Sequence, residues 1–542
     1  MHGPIAWFLL LSCPSPPWTE PPDWPGPRHD VRSFGARGDG TADDTRAIQA
    51  AINALPRSGG TVALPAGTYR SSNLLVADRE GVRLLGDGAT IQLFGTAVAP
   101  LYLGLQLHGT LRRVAIEGLT IVGDGRVASR HAGLWMTTAS HDMVDITVRG
   151  CTVRDVVNGI RFDNTQGRLT RLLIERNRVE RCVGTDPSEG YGIVHSNGGR
   201  MPGAATILGN TVVAAQRHSI YQSAGSGARI LGNRIIDHRR GVADGRIRGA
   251  IAVARSRDVF VAGNRLEHCA DAAVSVEPSE SGPTSVSGHV WVVGNVFLDS
   301  PGRDVWVGAE VVGPTTGRLE HVAIEHNFFS RPSDPTNPTE SIRVADGILV
   351  TIRGNTFDAN RRYRMPYAAV VATARGGSRL DGFVLERNEA YLSSGEGGSV
   401  AVVELGAELA AGNRRVTIRG DVASGPSSPK LLVMDGPQAN PNLVVGASAG
   451  VGRSSPTLRP EPPSGTVGEA NPLACSIGPA AEEELIRRMS CASGPYVAAL
   501  LKARSVGQGP PLVLVRYGPL IGLADMFADL VRIAMGESSM AK

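Results

Sequence analysis

Residues 216–227 read QRHSIYQSAGSG, and within five of them stand a cation, an imidazole and a phenol: Arg217, His218 and Tyr221. Arginine presents a planar fork that holds a carboxylate through two hydrogen bonds, while histidine and tyrosine take and return protons. Together the three suit proton transfer beside a bound carboxylate. Taken alone they are also what a polar turn followed by a surface tyrosine would look like, so their meaning depends on the elements that bring other groups beside them.

Those elements are periodic. Between residues 82 and 421 one pattern returns, as VRLLGD, VAIEGL, ITVRGC, LLIERN, TILGN, RILGN, VFVAGN, VWVVGN, VAIEHN, VTIRGN, FVLERN and VTIRGD. It ends successively at Asp87, Leu119, Cys151, Asn177, Asn210, Asn233, Asn264, Asn295, Asn327, Asn355, Asn388 and Asp421. The spacing runs from 23 residues (Asn210 to Asn233) to 33 (Asn177 to Asn210). A period that varies while its terminal residue does not drift means one coil per repeat, with insertions confined to loops. A second strand follows most anchors, as GIRF at 159, GIVH at 192, SIYQ at 219, AIAV at 250 and AVSV at 273. Stacked coils of this kind pair each strand with its equivalents above and below, which predicts an all-β, right-handed parallel β-helix. The run of asparagines from Asn177 to Asn388 reads as structural: equivalent turns would hydrogen-bond the neighbouring coil's backbone and tolerate left-handed geometry.

The coils are uneven around Arg217. From anchor to second strand, Cys151 to Ile160 is 9 residues, Asn177 to Ile193 is 16, Asn210 to Ile220 is 10 and Asn233 to Ile251 is 18. A short coil thus lies between two long loops, CVGTDPSEGY and HRRGVADGRIRG, which predicts a cleft. Strand alternation places Ile220 inside and Tyr221 and Ser223 outside, with Val194 and Ser196, then Arg161 and Asp163, in the same columns. The expected floor is Arg217, His218 and Tyr221, flanked by Arg161 and Asp163, with His238, Arg239, Arg240 and Asp244 on one wall. His195 falls in the inward column beside Gln222 and reads as half of a buried polar pair.

Upstream, FGARGDGTADDTRAIQAAINALPRSGG holds adjacent carboxylates at Asp43 and Asp44, followed by an apolar stripe at Ile48, Ala51, Ile52 and Leu55. This predicts a capped amphipathic helix over 43–55, closing the end of the solenoid. The Arg37-Gly38-Asp39 tripeptide sits in the turn before it. With its continuation TVALPAGTYR, residues 34–70 resemble the N-terminal signature of the pectate-lyase-like superfamily, and the repeats extend that resemblance to about residue 421. The resemblance implies the β-helix fold and a family of polygalacturonases, polysaccharide lyases, uronate epimerases and phage tailspikes. It does not choose among them. The polygalacturonase branch would require Asn-x-Asp, Asp-Asp, Gly-His-Gly and Arg-x-Lys on the coils, and none occurs between residues 82 and 429.

Within that family the residue types at the cleft suit a uronic-acid glycan cleaved by β-elimination, with arginine on the substrate carboxylate. Lysine chemistry is excluded before Lys430, because lysine occurs only at 430, 502 and 542. A glycoside hydrolase is the first alternative and needs two carboxyls roughly 5–9.5 Å apart. Asp163 and Glu277 share a column four coils apart, about 19 Å at roughly 4.8 Å per strand, so they cannot form that pair. Asp186, Glu189 and Asp244 on the loops keep hydrolysis open. The second alternative is a non-catalytic glycan-binding or tailspike-like shaft. No cofactor is evident; calcium stays open as a cofactor, though no acidic cluster marks a clear site for it.

Composition bounds the rest. Net charge is only +4, and no basic block of the kind that grips nucleic acid is present. The six cysteines at 13, 151, 182, 269, 475 and 491 show neither zinc spacing nor a disulfide framework. An apolar run from Ile5 to Leu11 ahead of Cys13, then a proline-rich stretch, reads as an export leader over 1–29, for secretion, the periplasm or lipid anchoring at Cys13. No segment reaches the roughly 18 apolar residues of a membrane span. The solenoid domain is expected over 30–450, followed by a Pro/Ser/Gly-rich linker over 451–473. Short helices are expected in 474–542, a segment whose role is open, as is the oligomeric state.

Overall fold

The computed structural model describes residues 24–450 except 100, 138–141, 164–166, 168, 185–188, 197–203, 240–247, 279–285, 309–317, 332–339, 360–367, 374–379, 392–400, 407–408, 410–413, 425–429, 435–439 and 447–448. Most of the expected leader, the linker over 451–473 and the helical segment 474–542 lie outside the described residues. So do the candidate residues Arg240 and Asp244, and Asp186.

The described chain is a parallel β-solenoid. Its strands pair in parallel with their equivalents one coil away, in a 27-stranded and a 15-stranded sheet. The larger sheet has two faces, joined by the long strand Leu103–Glu117, whose first half pairs with His131–Thr137 and whose second half pairs with Met143–Arg149. The face running on through Asn158–Asp163, Tyr191–Ser196, His218–Ser223 and Gly249–Ala254 is called the first sheet. The face running on through Leu169–Glu175, Ala205–Leu208, Arg229–Leu231 and Arg257–Ala262 is the second. The 15-stranded sheet is the third. Among the described residues no helix is long and apolar enough to cross a membrane.

Pairing by equivalence turns a one-residue choice in one coil into a column. Ile160, Ile193, Ile220, Ile251 and Val274 are register partners in succession and are fully buried. In the third sheet Phe297, Phe329 and Phe357 are likewise in register, stacked at centroid separations of 4.7 and 4.8 Å. Burial of such columns supplies the core, and each coil contributes only a few aliphatic side chains.

The anchors form a hydrogen-bonded ladder. Asn264 Oδ1 accepts from both the backbone N–H (2.8 Å) and the Nδ2 (3.0 Å) of Asn233, while Asn264 Nδ2 donates to Ile230 O at 2.9 Å and to Asn295 Oδ1 at 2.9 Å. The same bonds repeat at Asn177, Asn210, Asn295, Asn327 and Asn355. Left-handed geometry belongs to the residue before the anchor, not to asparagine itself as the sequence suggested. Gly150, Gly209, Gly232, Gly263, Gly294 and Gly354 have φ of 58–62°. Glycine takes this conformation without a Cβ clash, which is why the repeats read Gly-Asn. Arg176, His326 and Arg387 hold the same position at φ of 52–55°.

The N-terminal helix spans Thr45–Asn53, shorter at both ends than the expected 43–55, because Asp39–Asp43 is a strand. Ile48, Ala51, Ile52 and Leu55 are buried against the first coils, as the stripe required. Asp44 is buried, and its carboxylate makes no side-chain cap bond. Instead it accepts from the backbone N–H groups of Arg37 (2.7 Å) and Gly38 (3.1 Å), pinning the Arg-Gly-Asp turn against the helix. The Thr45 side chain, together with its N–H that donates to Asp43 Oδ1 at 3.0 Å, holds the Asp43 carboxyl below the usual carboxylate range. The two carboxylates serve different backbone groups and do not form an acid–base pair.

The ladder ends on a mismatch. Asp421 Oδ1 accepts from the N–H and Nδ2 of Asn388, but among the described residues its buried Oδ2 has no partner and stands where an asparagine would carry a donor. Burial raises its carboxyl above the ordinary 3.8. A raised folded pKa favours the protonated form, so the penalty is absent in strong acid and grows as pH rises past the ordinary carboxyl range. Asp421→Asn is therefore expected to stabilise the protein at pH 7 by about 0.5–1.5 kcal/mol, the worth of one satisfied hydrogen bond, with the gain vanishing near pH 3. Denaturant melts at the two pH values check this, and an equal gain at both would refute it. Asn264→Ala, which strips partners from Asn233 and Ile230, is expected to cost about 2–4 kcal/mol, since each buried group left unsatisfied costs about 1–3.

Candidate functional site

The short coil is placed by its inward side chains. Gly159 and Gly192 precede the isoleucine column, where a Cβ would come within 2.5 Å of Val179 Cγ1 and 2.7 Å of Val212 Cγ1 respectively, and Ser219 occupies the next coil. Two consecutive inward positions, Ser219 and Ile220, force the residues on either side outward together. His218 and Tyr221 consequently stack, with ring centroids 5.0 Å apart and planes within 19°. Tyr191, the register partner of His218, completes the cluster at 5.5 Å from each ring. Arg217 lies over the Tyr191 ring at 5.6 Å, with its backbone N–H fixed by Gly190 O at 2.9 Å.

His218 is 3% exposed, and burial drives its pKa well below the ordinary 6.5. Its Nδ1 lies 2.6 Å from Gly249 O, an acceptor, so Nδ1 carries the proton. Nε2 of the neutral ring then bears the lone pair and has no partner among the described residues. Burial raises the Tyr221 phenol above 10, and the Glu277 charge adds to this. Tyr191 is pushed up to about 12, mainly by burial. The cluster therefore holds a neutral imidazole as proton acceptor beside phenols that stay protonated at neutral pH.

The other expected residues divide. Arg161 and Asp163 lie on the same face two coils away, paired to each other at 3.0 Å. His195 points inward and pairs with Gln222 through Nδ1 and Oε1 at 2.7 Å. His238 is 1% exposed, and burial lowers its pKa to about 4, so it fills a turn instead of standing on a wall. Arg239 is exposed. The loop carboxylate Glu189 is buried and salt-bridged to Arg130 at 2.7 Å. Register confirms that Asp163 and Glu277 are four coils apart in one column, with Ser196, Ser223 and Ala254 between them.

Sequence reasoning passed over Tyr191, although its offset from Ile193 equals that of His218 from Ile220 and would have revealed it. It also passed over Arg255, whose Nη2 donates to Ser223 Oγ at 2.8 Å. Arg255 lies past the strand end at a left-handed φ of 51°, where no alternation rule reaches. Among the described residues Arg217 has no carboxylate partner, and no group of three or more His, Cys, Asp or Glu side chains stands where it could hold a metal ion.

Comparison with known proteins agrees with this frame. The family described as rhamnogalacturonase A/epimerase, pectate lyase-like, matches residues 29–271, which include the whole cluster. Mannuronan C5-epimerase AlgE4 of Azotobacter vinelandii is 58% identical over 142 residues, 26% of this chain and 21% of its own. Alginate lyase 7 of the same organism is 60% identical over 45 residues, 8% of this chain and 5% of its own. The chain thus matches only a minor part of the length of these relatives. The solved A-module of the Azotobacter vinelandii epimerase AlgE6 is 17% identical with a TM-score of 0.43, over 78% of this chain and 99% of that one. Residues 29–271 thus match the pectate lyase-like family, and the stacked parallel coils running on to residue 450 have the β-helix fold that this match implies.

Proposed function

We propose that the chain acts on a uronic-acid polysaccharide of the alginate type, removing the proton at C5 of a uronate and eliminating the 4-linked sugar. The observation that carries this reading is the His218 ring, held neutral with its Nδ1 proton given to Gly249 and its Nε2 lone pair open beside Tyr221. Arg217, a cation without a carboxylate partner among the described residues, binds the substrate carboxylate and stabilises the charge that spreads into it as C5 is deprotonated. His218 Nε2 takes the C5 proton. The freed electron pair closes a C4–C5 double bond, the C4–O4 bond breaks, and the Tyr221 hydroxyl protonates the departing oxygen. Solvent then returns a proton to Tyr221 and removes the one on His218.

The similarity to relatives named as alginate lyase and as mannuronan C5-epimerase supports this class of chemistry, since elimination and C5 inversion both begin by breaking the C5–H bond. Hydrolysis draws less support: Asp163 and Glu189 on this face are each engaged by an arginine, and Glu277 accepts from Ser275.

Incubation with sodium alginate and with other uronic-acid and neutral glycans, reading ultraviolet absorbance, reducing ends and C5 configuration by proton NMR, tests the reading. Unsaturated ends are expected. Saturated new ends would replace elimination by hydrolysis, and C5 inversion without cleavage would remove the leaving-group role of Tyr221. His218→Ala and Tyr221→Phe are each expected to lower turnover about 10²-fold or more, the scale of acid–base catalysis, while the protein stays folded by circular dichroism. Full activity in both would move the site elsewhere.

The pH profile carries a further expectation. The base works unprotonated, so activity falls on the acid side only below the ordinary imidazole 6.5, where the depressed His218 pKa lies. The acid works protonated, so activity holds until above the ordinary phenol 10. An acid limb centred at or above 6.5 in kcat/KM would exclude His218 as the base.

A further inference from the structure

On the second sheet, away from the His218 cluster, the outward column two residues before each anchor is charged at both ends. Glu117 lies between Arg83 (2.7 Å) and Arg149 (3.9 Å), and Arg149 reaches Glu175 at 3.4 Å. Farther along, Arg353 lies between Glu325 (3.8 Å) and Glu386 (2.5 Å), and Arg419 meets Glu386 at 2.7 Å. Between the two ladders the same column turns apolar for four coils, at Leu208, Leu231, Ala262 and Val293.

The interruption coincides with the largest rings on this face. Phe260 and Trp291, register partners one coil apart, are half-buried and stack at 4.5 Å with planes within 7°. Phe260 covers one face of the indole. Across the other face the register partner is Ala323, followed by Thr351, and neither carries a ring to close it. The rim is polar and oriented. Ser226 Oγ donates to Asp258 Oδ2 at 3.1 Å, and His289 Nδ1 donates to Asp258 Oδ1 at 3.1 Å. His289 leans on Trp291 at 6.3 Å, and His321 packs edge-on against His289 at 4.8 Å. Because the serine bonds to the aspartate and not to the imidazole, this is no nucleophile triad. It is a fixed polar rim beside a flat apolar shelf.

We propose that this shelf is a second carbohydrate-binding site, in which the apolar face of a pyranose ring lies on Trp291 above Ala323, with its hydroxyls on His289 and His321. A bare apolar patch would suit a protein partner equally. An open indole face bordered by oriented donors and acceptors suits a sugar, which presents C–H groups on one face and hydroxyls at its edge. The shelf lies on a different sheet from the His218 cluster, so it would hold a distant part of a long chain and raise the local concentration of polymer without touching the reacting sugar. The inference rests on the polysaccharide reading above for its ligand class.

Affinity electrophoresis of the full chain in gels cast with sodium alginate tests it, alongside turnover on alginate and on short alginate oligosaccharides. Trp291→Ala removes the shelf, and Ala323→Tyr fills the open face while keeping Trp291, so a folding defect in one leaves the other informative. Both are expected to weaken polymer retardation roughly 3- to 10-fold, the scale of one aromatic contact, with turnover on oligosaccharides unchanged. His218→Ala is expected to remain retarded. Wild-type retardation in both shelf variants, with alginate still processed, would overturn the shelf and leave the proposed function standing. A change in sedimentation without a change in retardation would also overturn it, in favour of a protein interface. Neither retardation nor processing of alginate by the wild type would overturn both readings.

Discussion

The structure depends on one repeated constraint, that a buried amide at the same corner of successive coils must satisfy itself through its neighbours. Each asparagine gives its two Nδ2 protons to one carbonyl in the preceding coil and one Oδ1 in the next, and its own Oδ1 receives the backbone N–H before it. A coil that slipped by one residue would break these bonds at a site with no water to replace them. The ladder therefore fixes register, and register decides everything else: which aliphatic side chains form columns, and which polar ones meet outside. Insertions of any length are tolerated in the loops because the corner is set independently of them.

His218 and Tyr221 follow from that register. They are three residues apart in an element where alternation alone would send them to opposite sides. The pair of inward positions at Ser219 and Ile220 brings them together, and the small inward residues at Gly159, Gly192 and Ser219 are what the valines of the third sheet leave room for. The packing that supplies the core thus also stacks the two rings and buries the imidazole. The same burial that keeps His218 neutral would cost stability in a charged ring, and the carbonyl of Gly249 limits that cost by selecting one tautomer.

Much of this was legible because a solenoid writes its three-dimensional neighbours into a one-dimensional period. The anchor at Asn210 and the offset to Ile220 located the short coil and the outward position of Tyr221. Positions that depend on a turn, not on a strand, were harder. His238 follows an anchor by five residues and was read as a loop residue, whereas it is packed into the corner between coils. Asp44 looked like a helix cap and instead binds the turn before it, since a buried carboxylate goes where two N–H groups already point. Glu189 was available as a catalytic acid on sequence grounds, but its partner Arg130 lies 59 residues earlier, and no local pattern connects them.

The charges on the first sheet carry the argument one step further. Arg161 is matched by Asp163, Arg130 by Glu189, and Arg303 and Arg343 share Glu340 at 2.6 and 2.8 Å. These arginines are thus neutralised within the fold, and their carboxylates are spent in doing so. Arg217 departs from the pattern: its guanidinium lies over the Tyr191 ring at 5.6 Å, and among the described residues its buried Nε has no hydrogen-bond partner. A guanidinium left in that state is costly unless something anionic completes it. On the proposed reading a uronate, with its acidic C–H next to the carboxylate, would give the cation, the neutral imidazole and the protonated phenol each a role.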